Sequence, residues 1–479
     1  LTNRRQVDPA APLMQVGLNS VISDDFVMEL EAQTGLQLSP TLIYEHSTVE
    51  KVSKYLERQL SQTLDVSAVA APITPVVRTM LSCLGMTGRW PGTLTSHTAI
   101  WCASSAGFDA VQTNRDHPTA RALPSAHLTP NQTIAITHRA PLPGAAHFDS
   151  SHFKLSAGEA AVMDPQQRLL LESGYDAFIA GAIDRASLDG SGSGVYLGIM
   201  NNDFGFHLID SECSSVYAAT GGALSIAAGR LSFALGIHGP CQSIDTACSS
   251  ALVAIHAATH GVRLCDCDTA LAVAVSLMLS SHVSIGYARA GMLSADGRCK
   301  TFDESANGYV RGEGVGGLIL QEHDRQAPNV IGGSAVRQDG TSASLTAPNG
   351  SAQTALLRMA HSRARLVESE VLTSKQVACA LIIETHGTGT ALGDPIEARA
   401  LTEGMSALCA VGGVKASVGH LEPAAGMLGL LRLSASLSQM QCATNARLRV
   451  LNSRCKIASI RFATSRVKLV LGCGLRYGA

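Results

Sequence analysis

The sequence predicts a mixed α/β body preceded by a small all-α segment, and three observations predict it. Apolar, strand-like runs such as Val195-Tyr196-Leu197-Gly198-Ile199 and Ala378 to Ile383 are set among glycine-rich turns and helix-like stretches, the pattern of buried strands between helices. Alanine, glycine and leucine abound while only 4% of residues are aromatic, which suits helices packed closely on a sheet. Between Gln6 and Glu50 there is no lysine or arginine, yet Asp8, Asp24, Asp25, Glu29, Glu31, Glu45 and Glu50 all appear. Phe26, Val27 and Leu30 recur among these acids at helical spacing, so an amphipathic helix with a negative outer face is expected there.

Totals exclude several classes. With 36 basic and 38 acidic residues the net charge is −2, so nothing electrostatic points to nucleic acid or an anionic membrane. Thirteen cysteines form no paired framework; they read as reduced thiols in the cytoplasm or another reducing compartment. The longest apolar run, Ala270 to Leu279, is too short to span a bilayer. The start, L-T-N-R-R-Q, has no initiator methionine and no signal core; it reads as a cut from a longer polypeptide, with any upstream targeting segment unknown.

In chain order, residues 61–75 lack helical periodicity and end in prolines, which reads as a linker. Pro118 to Pro143 is loop-like, with His117, His127 and His138 on the surface and no metal-ligand spacing. Met163 to Glu172 reads as a helix opened by Asp164-Pro165. Gly190, Gly192 and Gly194 precede the strand at Val195, the wrong order for a phosphate-binding loop. At 241–260 a β-prone piece, Gln242 to Thr246, runs into an alanine-rich helix pattern with Cys248 at the junction. The free N–H groups and positive dipole end of a helix start favour thiolate, so a lowered Cys248 pKa is expected. A lone cysteine more often packs as a small hydrophobe; the flanking residues decide otherwise. His256 and His260 have i,i+4 spacing without the glutamate of a zinc protease, and read as helix-face residues. His386 follows a strand on the turn His386-Gly387-Thr388-Gly389-Thr390, where glycines let the backbone turn tightly. His420 lies at a second strand-to-helix junction, before Pro423.

Asp245-Thr246-Ala247-Cys248-Ser249-Ser250 is similar to the nucleophile motif of β-ketoacyl synthases. Five further blocks agree in order: M-D-P-Q-Q-R-L-L-L-E (163–172), D-G-R-C-K-T-F-D-E-S-A-N-G-Y-V-R-G-E-G (296–314), Q-D-G-T-S-A-S-L-T-A-P-N-G (338–350), E-T-H-G-T-G-T-A-L-G-D-P-I-E-A (384–398) and G-H-L-E-P-A-A-G (419–426). Over about residues 76–470 the chain resembles the condensing domain of a type I polyketide synthase. That resemblance implies a thiolase-like five-layer αβαβα fold at 76–479, in halves of about 76–325 and 326–479, and a homodimer. It implies Cys248 as nucleophile, His386 and His420 as the paired histidines, and Lys415 as their electrostatic support. Thr388 and Thr390 would hold the His386 loop, and Phe462 would belong to a closing loop that supplies an oxyanion donor and gates the pocket. In that loop the usual glycines are missing, and Arg461 would be strained if positive φ were needed.

Gly17-Leu18-Asn19-Ser20, Thr34-Gly35 and the stretch 42–56 resemble the C-terminal part of an acyl carrier protein, giving a carrier segment over 1–60. Ser20 would bear 4′-phosphopantetheine, although Asn19 stands where the family has aspartate. The implied function is decarboxylative Claisen condensation between a Cys248-bound acyl chain and a malonyl-type extender, without a metal. Partners would be acyl and malonyl carrier proteins and other polyketide synthase domains. Alternatives are a fatty-acid condensing domain and a non-condensing transfer or docking platform; His420 argues against the platform. Gly472-Cys473-Gly474 invites a thiolase reading, which the His386 turn disfavours.

Overall fold

The computed structural model describes residues 8–13, 18, 23–36, 38–39, 42–64, 80–113, 128–211, 215–322, 327, 329–342, 344–371, 381–405, 409–455, 460–464 and 467–468. Ser20, His117, His127 and Cys473 lie outside them. Helices α1 (Ser23–Thr34) and α2 (Val49–Leu64) belong to the acidic segment, which closes its own small core around Leu13, Leu18, Val27, Leu38, Leu42, Ile43 and Val52. Helix α2 runs to Leu64, four residues into the stretch expected to be linker. Leu60 and Leu64 extend its i, i+4 pattern past residue 60, which corrects the linker start.

The body is built on a six-stranded sheet. Its strands are β1 (Leu81–Arg89), β2 (Gly194–Gly198), β3 (Cys241–Ile244), β4 (Thr269–Ser276), β5 (Gly314–Glu322) and β6 (Val330–Ile331), in the spatial order β3-β2-β4-β5-β1-β6. Strands β3, β2 and β4 run parallel; β5 pairs antiparallel with both β4 and β1. Strand β6 joins this sheet through Leu81 and Ser82. Strands β7 (Leu381–Glu384), β8 (Cys409–Gly412) and β9 (Ile460–Phe462) form a parallel three-stranded sheet, order β9-β8-β7.

Strand β4 shows why helices cover both faces. Side chains alternate along a strand, and here both alternating sets are fully buried. Leu271, Val273 and Val275 pack outward with α3 (Pro165–Ala180) and α4 (Leu224–Leu235). Ala270, Ala272 and Ala274 face inward against α5 (Ser250–Arg263) and α9 (Ala425–Ser438). Alanines on the inner face let the central helices approach closely. Helix α6 (Ser281–Arg289) follows β4; α7 (Gly350–Val371) and α8 (Gly393–Gly404) pack together, and α8 closes the far side of the small sheet through Ala398 and Leu401. The sequence of layers is helix, sheet, helix, sheet, helix.

Two local expectations change. Pro130–Thr137 is a helix, because Thr129 and Gln132 form a reciprocal capping box that satisfies free N–H groups at its start. His138 follows it in a short strand pair with Gln112–Thr113 and meets the Thr113 hydroxyl at 3.0 Å. Arg461 lies in β9, paired with Ala410, so extended backbone there carries no positive-φ strain. No helix among the described residues is long and apolar enough to cross a membrane.

Candidate active site

Cys248 sits where β3 ends and the central helix begins. A short turn, Ala247–Ser249, leads into α5, and Ala247 is held at φ 55°, a left-handed conformation costly for a residue with a β-carbon. The turn is pinned by Asp245 Oδ1, which accepts from the Ala247 N–H at 3.0 Å, and by Ser250 Oγ, which accepts from the Thr246 N–H at 2.9 Å. Strand β2 permits this packing only through Gly198: a β-carbon there would meet the Ser250 carbonyl carbon at 2.7 Å and the Ala251 nitrogen at 2.8 Å.

The histidines arrive from the other half. His386 follows β7 on a turn whose Gly387, at φ 45°, has no room for a β-carbon beside Thr301 and Thr385. Both oxygens of Glu397 on α8 accept from this turn, from the His386 N–H at 2.6 Å and the Gly387 N–H at 2.8 Å. Thr301 donates to the Gly387 carbonyl at 2.6 Å. Thr388 and Thr390 meet through their hydroxyls at 3.5 Å, and Thr390 Oγ1 accepts the Gly393 N–H at 3.1 Å at the start of α8. Asp394 takes the Gly389 N–H at 3.1 Å and the Phe302 N–H at 2.6 Å; burial pushes its carboxyl up to about 7. His420 is bound by its backbone to Val310 and Gly312, so it is anchored to the segment entering β5.

One sulfur and one ring nitrogen from each histidine lie within 4.8 Å of one another, and the two imidazoles meet edge-to-face with centroids 5.4 Å apart. The Nδ1 of His420 accepts the Glu422 N–H at 3.3 Å, which places the ring proton on Nε2. Glu422 is itself fixed by Arg311, with Nε–Oε1 at 2.5 Å and Nη2–Oε2 at 2.9 Å, and by Asn201 Nδ2 at 3.2 Å. Tyr309 lies edge-on to His420, with centroids 5.2 Å apart, and Tyr287 edge-on to Tyr309 at 6.3 Å.

Burial drives the electrostatics. His420, only 4% exposed, is held well below its ordinary pKa by burial first, then by Lys415, His386 and Arg311. The His386 ring shows an exposed edge, yet it too is pushed far down, by burial and then by Lys415. The protein packed around the ring, more than the area it shows, sets its proton affinity. Both imidazoles are neutral donors near pH 7, held so by burial and Lys415. For Cys248 the expectation is reversed: burial raises the thiol and outweighs the lowering influences of Lys415 and the backbone N–H. The resting group is a thiol.

Lys415 is buried beside these groups and acts on all three. Phe462 closes β9 and packs edge-to-face on Phe302, with centroids 4.9 Å apart; it belongs to the small-sheet core, not to a free loop over the sulfur. Glu397, Tyr309, Arg311 and Glu422 lie inside the sequence blocks noted above, yet their part in holding the site emerges only from the packing.

A cysteine at a strand-to-helix elbow, facing two neutral imidazoles across a five-layer body, defines a thiol-dependent condensing enzyme of thiolase-like fold. The profile described as Beta-ketoacyl synthase, N-terminal domain, matches residues 82–326, and that of the C-terminal domain residues 329–449. The chain belongs to the β-ketoacyl synthase family. Residues 2–56 match the profile described as Phosphopantetheine attachment site, so the N-terminal segment is of the kind that carries that cofactor covalently. Polyketide synthase GfsB of Streptomyces halstedii is 37% identical over 442 residues, 89% of this chain and 8% of that protein. Erythronolide synthase EryA3 of Saccharopolyspora erythraea is 35% identical over 455 residues, 90% of this chain and 14% of that protein. The chain thus spans a small fraction of the length of these relatives. The ketosynthase from module 6 of the bacillaene synthase of Bacillus subtilis 168 superposes with a TM-score of 0.71 at 32% identity, covering 81% of this chain and 67% of that one. The oxazolomycin ketosynthase domain OzmH KS7 of Streptomyces albus gives 0.72 at 26%, covering 81% and 68%.

Glu397 is a positioning residue, and its removal leaves two N–H groups of the His386 turn without acceptors. Each unmet group costs about 1–3 kcal/mol, and a small misplacement of a reacting group costs up to about 10²-fold in rate. Glu397→Ala is expected to lower decarboxylation of a malonyl thioester by about tenfold or more, and Glu397→Gln, which keeps an oxygen acceptor, by clearly less. Equal losses in the two variants would remove the positioning role.

Proposed function

We propose that the body, residues 76–479, is an elongating polyketide ketosynthase, a 3-oxoacyl-[acyl-carrier-protein] synthase-type acyltransferase. Residues 1–60 are its attached carrier segment, with 4′-phosphopantetheine on Ser20. The observation that carries this reading is the convergence of Cys248, His386 and His420 from both halves of the chain. In the first stage the Cys248 sulfur attacks a carrier-bound acyl thioester. The acyl C–S bond to the carrier breaks, one to Cys248 forms, and the thiol proton ends on the departing sulfur. His420 offers no lone pair for that proton, because Nδ1 is occupied and Nε2 carries hydrogen, and the exchange leaves both imidazoles neutral. In the second stage a malonyl-type thioester loses carbon dioxide. The enolate oxygen accepts N–H bonds from the two imidazoles, its carbon attacks the acyl-cysteine carbonyl, and the cysteine sulfur leaves and takes up one proton.

The same reading assigns Lys415 to the electrostatics of the pair and Thr388 and Thr390 to the His386 turn. A homodimer fits the edge position of β3 in its sheet, and Phe206, Ile209, Val216 and Phe233 are exposed apolar side chains that such an interface could cover. The free cysteines suit a reducing, cytoplasmic site of action.

Intact mass after incubation with a pantetheinyl transferase, coenzyme A and an acyl donor tests the reading. One pantetheine mass on Ser20 and one acyl mass on Cys248 are expected; an unmodified Cys248 would overturn it. The half-reactions should also differ in pH dependence. The raised thiol makes acylation climb with pH into the alkaline range, beyond the ordinary cysteine value of about 8.5. The depressed histidines stay neutral as pH falls through about 6.5, so decarboxylation should show no acid limb there. An acid limb near 6.5 would contradict two neutral donors.

A further inference from the structure

The acidic segment meets the body at Arg399 on α8. The guanidinium Nη2 donates to the Leu38 carbonyl and lies 3.6 Å from Glu31 Oε1, while Nε pairs with Glu403 at 2.7 Å. Glu31 also accepts the Leu38 N–H at 2.7 Å. A single planar fork therefore reads a carboxylate and a carbonyl that the end of α1 and its following loop hold in fixed relation. Two residues before Arg399 on the same helix, Glu397 holds the His386 turn.

The contact is polar. The segment's apolar residues close on one another, and Arg399 and Glu31 are each about one-third exposed. A pair of this kind is worth only about 0–1 kcal/mol. Tethering changes the outcome: fifteen residues, 65–79, join the segment to the body, and short tethers supply effective concentrations of roughly millimolar. A weak contact reinforced by a tether suits a carrier that must arrive and leave repeatedly. No lysine or arginine occurs in residues 6–50, so Arg399 offers the segment a single cationic partner on a helix that otherwise carries Asp394, Glu397 and Glu403.

We propose that the face of α8 centred on Arg399 is the docking surface from which this chain's own carrier segment delivers its acyl group to Cys248. This rests on the ketosynthase reading given above. The delivery is a thioester exchange in which the acyl group moves from the pantetheine sulfur to Cys248 and the thiol proton returns to the pantetheine sulfur.

The test compares acyl transfer to Cys248 from the loaded carrier segment with transfer from an acyl N-acetylcysteamine thioester. Arg399→Glu should slow carrier-borne transfer by roughly five- to tenfold, about 1–1.4 kcal/mol, and leave the soluble thioester unaffected. Adding Glu31→Arg should recover much of the loss. An unchanged carrier-borne rate, an equal loss with both donors, or no recovery in the double variant would overturn the proposal. A second measurement needs no loading. Glu31→Cys with Arg399→Cys should give an intramolecular product with a short bis-maleimide that neither single variant gives, and its absence would count equally against the docking surface. If the wild type takes no acyl group from the soluble thioester, the ketosynthase reading fails, while the cross-link still reports on docking.

Discussion

Replacing His420 by alanine is expected to reduce carbon dioxide release from a malonyl thioester by roughly 10²–10³-fold, the cost of one well-aimed donor to a developing oxyanion. Acylation of Cys248 should be almost unchanged. The separation follows from the hydrogen-bond pattern: the Glu422 N–H occupies Nδ1, leaving His420 a donor with no lone pair for the thiol proton. In the proposed mechanism His420 therefore serves the enolate and not the nucleophile. A parallel fall in both half-reactions would mean that the ring acts on the sulfur. Decarboxylation at the wild-type rate would remove His420 from the chemistry and favour a platform that holds acyl chains without extending them.

Cys248→Ala should do the opposite. The acyl adduct should disappear from the intact mass, and no β-ketoacyl product should form, since among the described residues no other sulfur lies in the cluster. Carbon dioxide release should persist, because both imidazoles and Lys415 remain and the substitution removes only one atom. The enolate then has no acyl partner and takes a proton, giving the acetyl thioester. Retained condensation in this variant would place the nucleophile elsewhere and dismantle the proposed site.

How much of this was legible beforehand depended on the kind of interaction. Cys248 and His386 announce themselves locally, at a strand-to-helix and a strand-to-turn junction whose small residues serve that geometry; His420, expected at a second strand-to-helix junction, instead follows the short helix Lys415–Val418 and forms an isolated bridge with Arg311. The layers were legible through the motif resemblance, and the structure adds that the alanine set and the Leu271, Val273, Val275 set of β4 follow the strand period. Long-range partners were not. The grip of Arg311 on Glu422 joins residues 111 apart in sequence, and that of Glu397 on the His386 turn, only 11 residues away, depends on how α8 folds back against the turn. The direction of the Cys248 shift was misread because spacing reveals a helix start but not the desolvation around it; burial won. Helix α2 outran its expected end because its leucine pattern continues past residue 60. Phe462 was placed on a loop by analogy, whereas pairing of β9 with β8 draws it into the sheet.

The left-handed Ala247 has a consequence for tolerance to change. Its methyl group makes the elbow dearer than glycine would by roughly 1–2 kcal/mol, and that tension keeps the sulfur's approach angle narrow. Ala247→Gly should therefore yield a more heat-resistant but slower protein, measurable as a higher melting temperature beside a reduced acylation rate. A β-branched residue there should prevent the chain from closing around its nucleophile. Robustness and aim pull against each other at this one peptide unit.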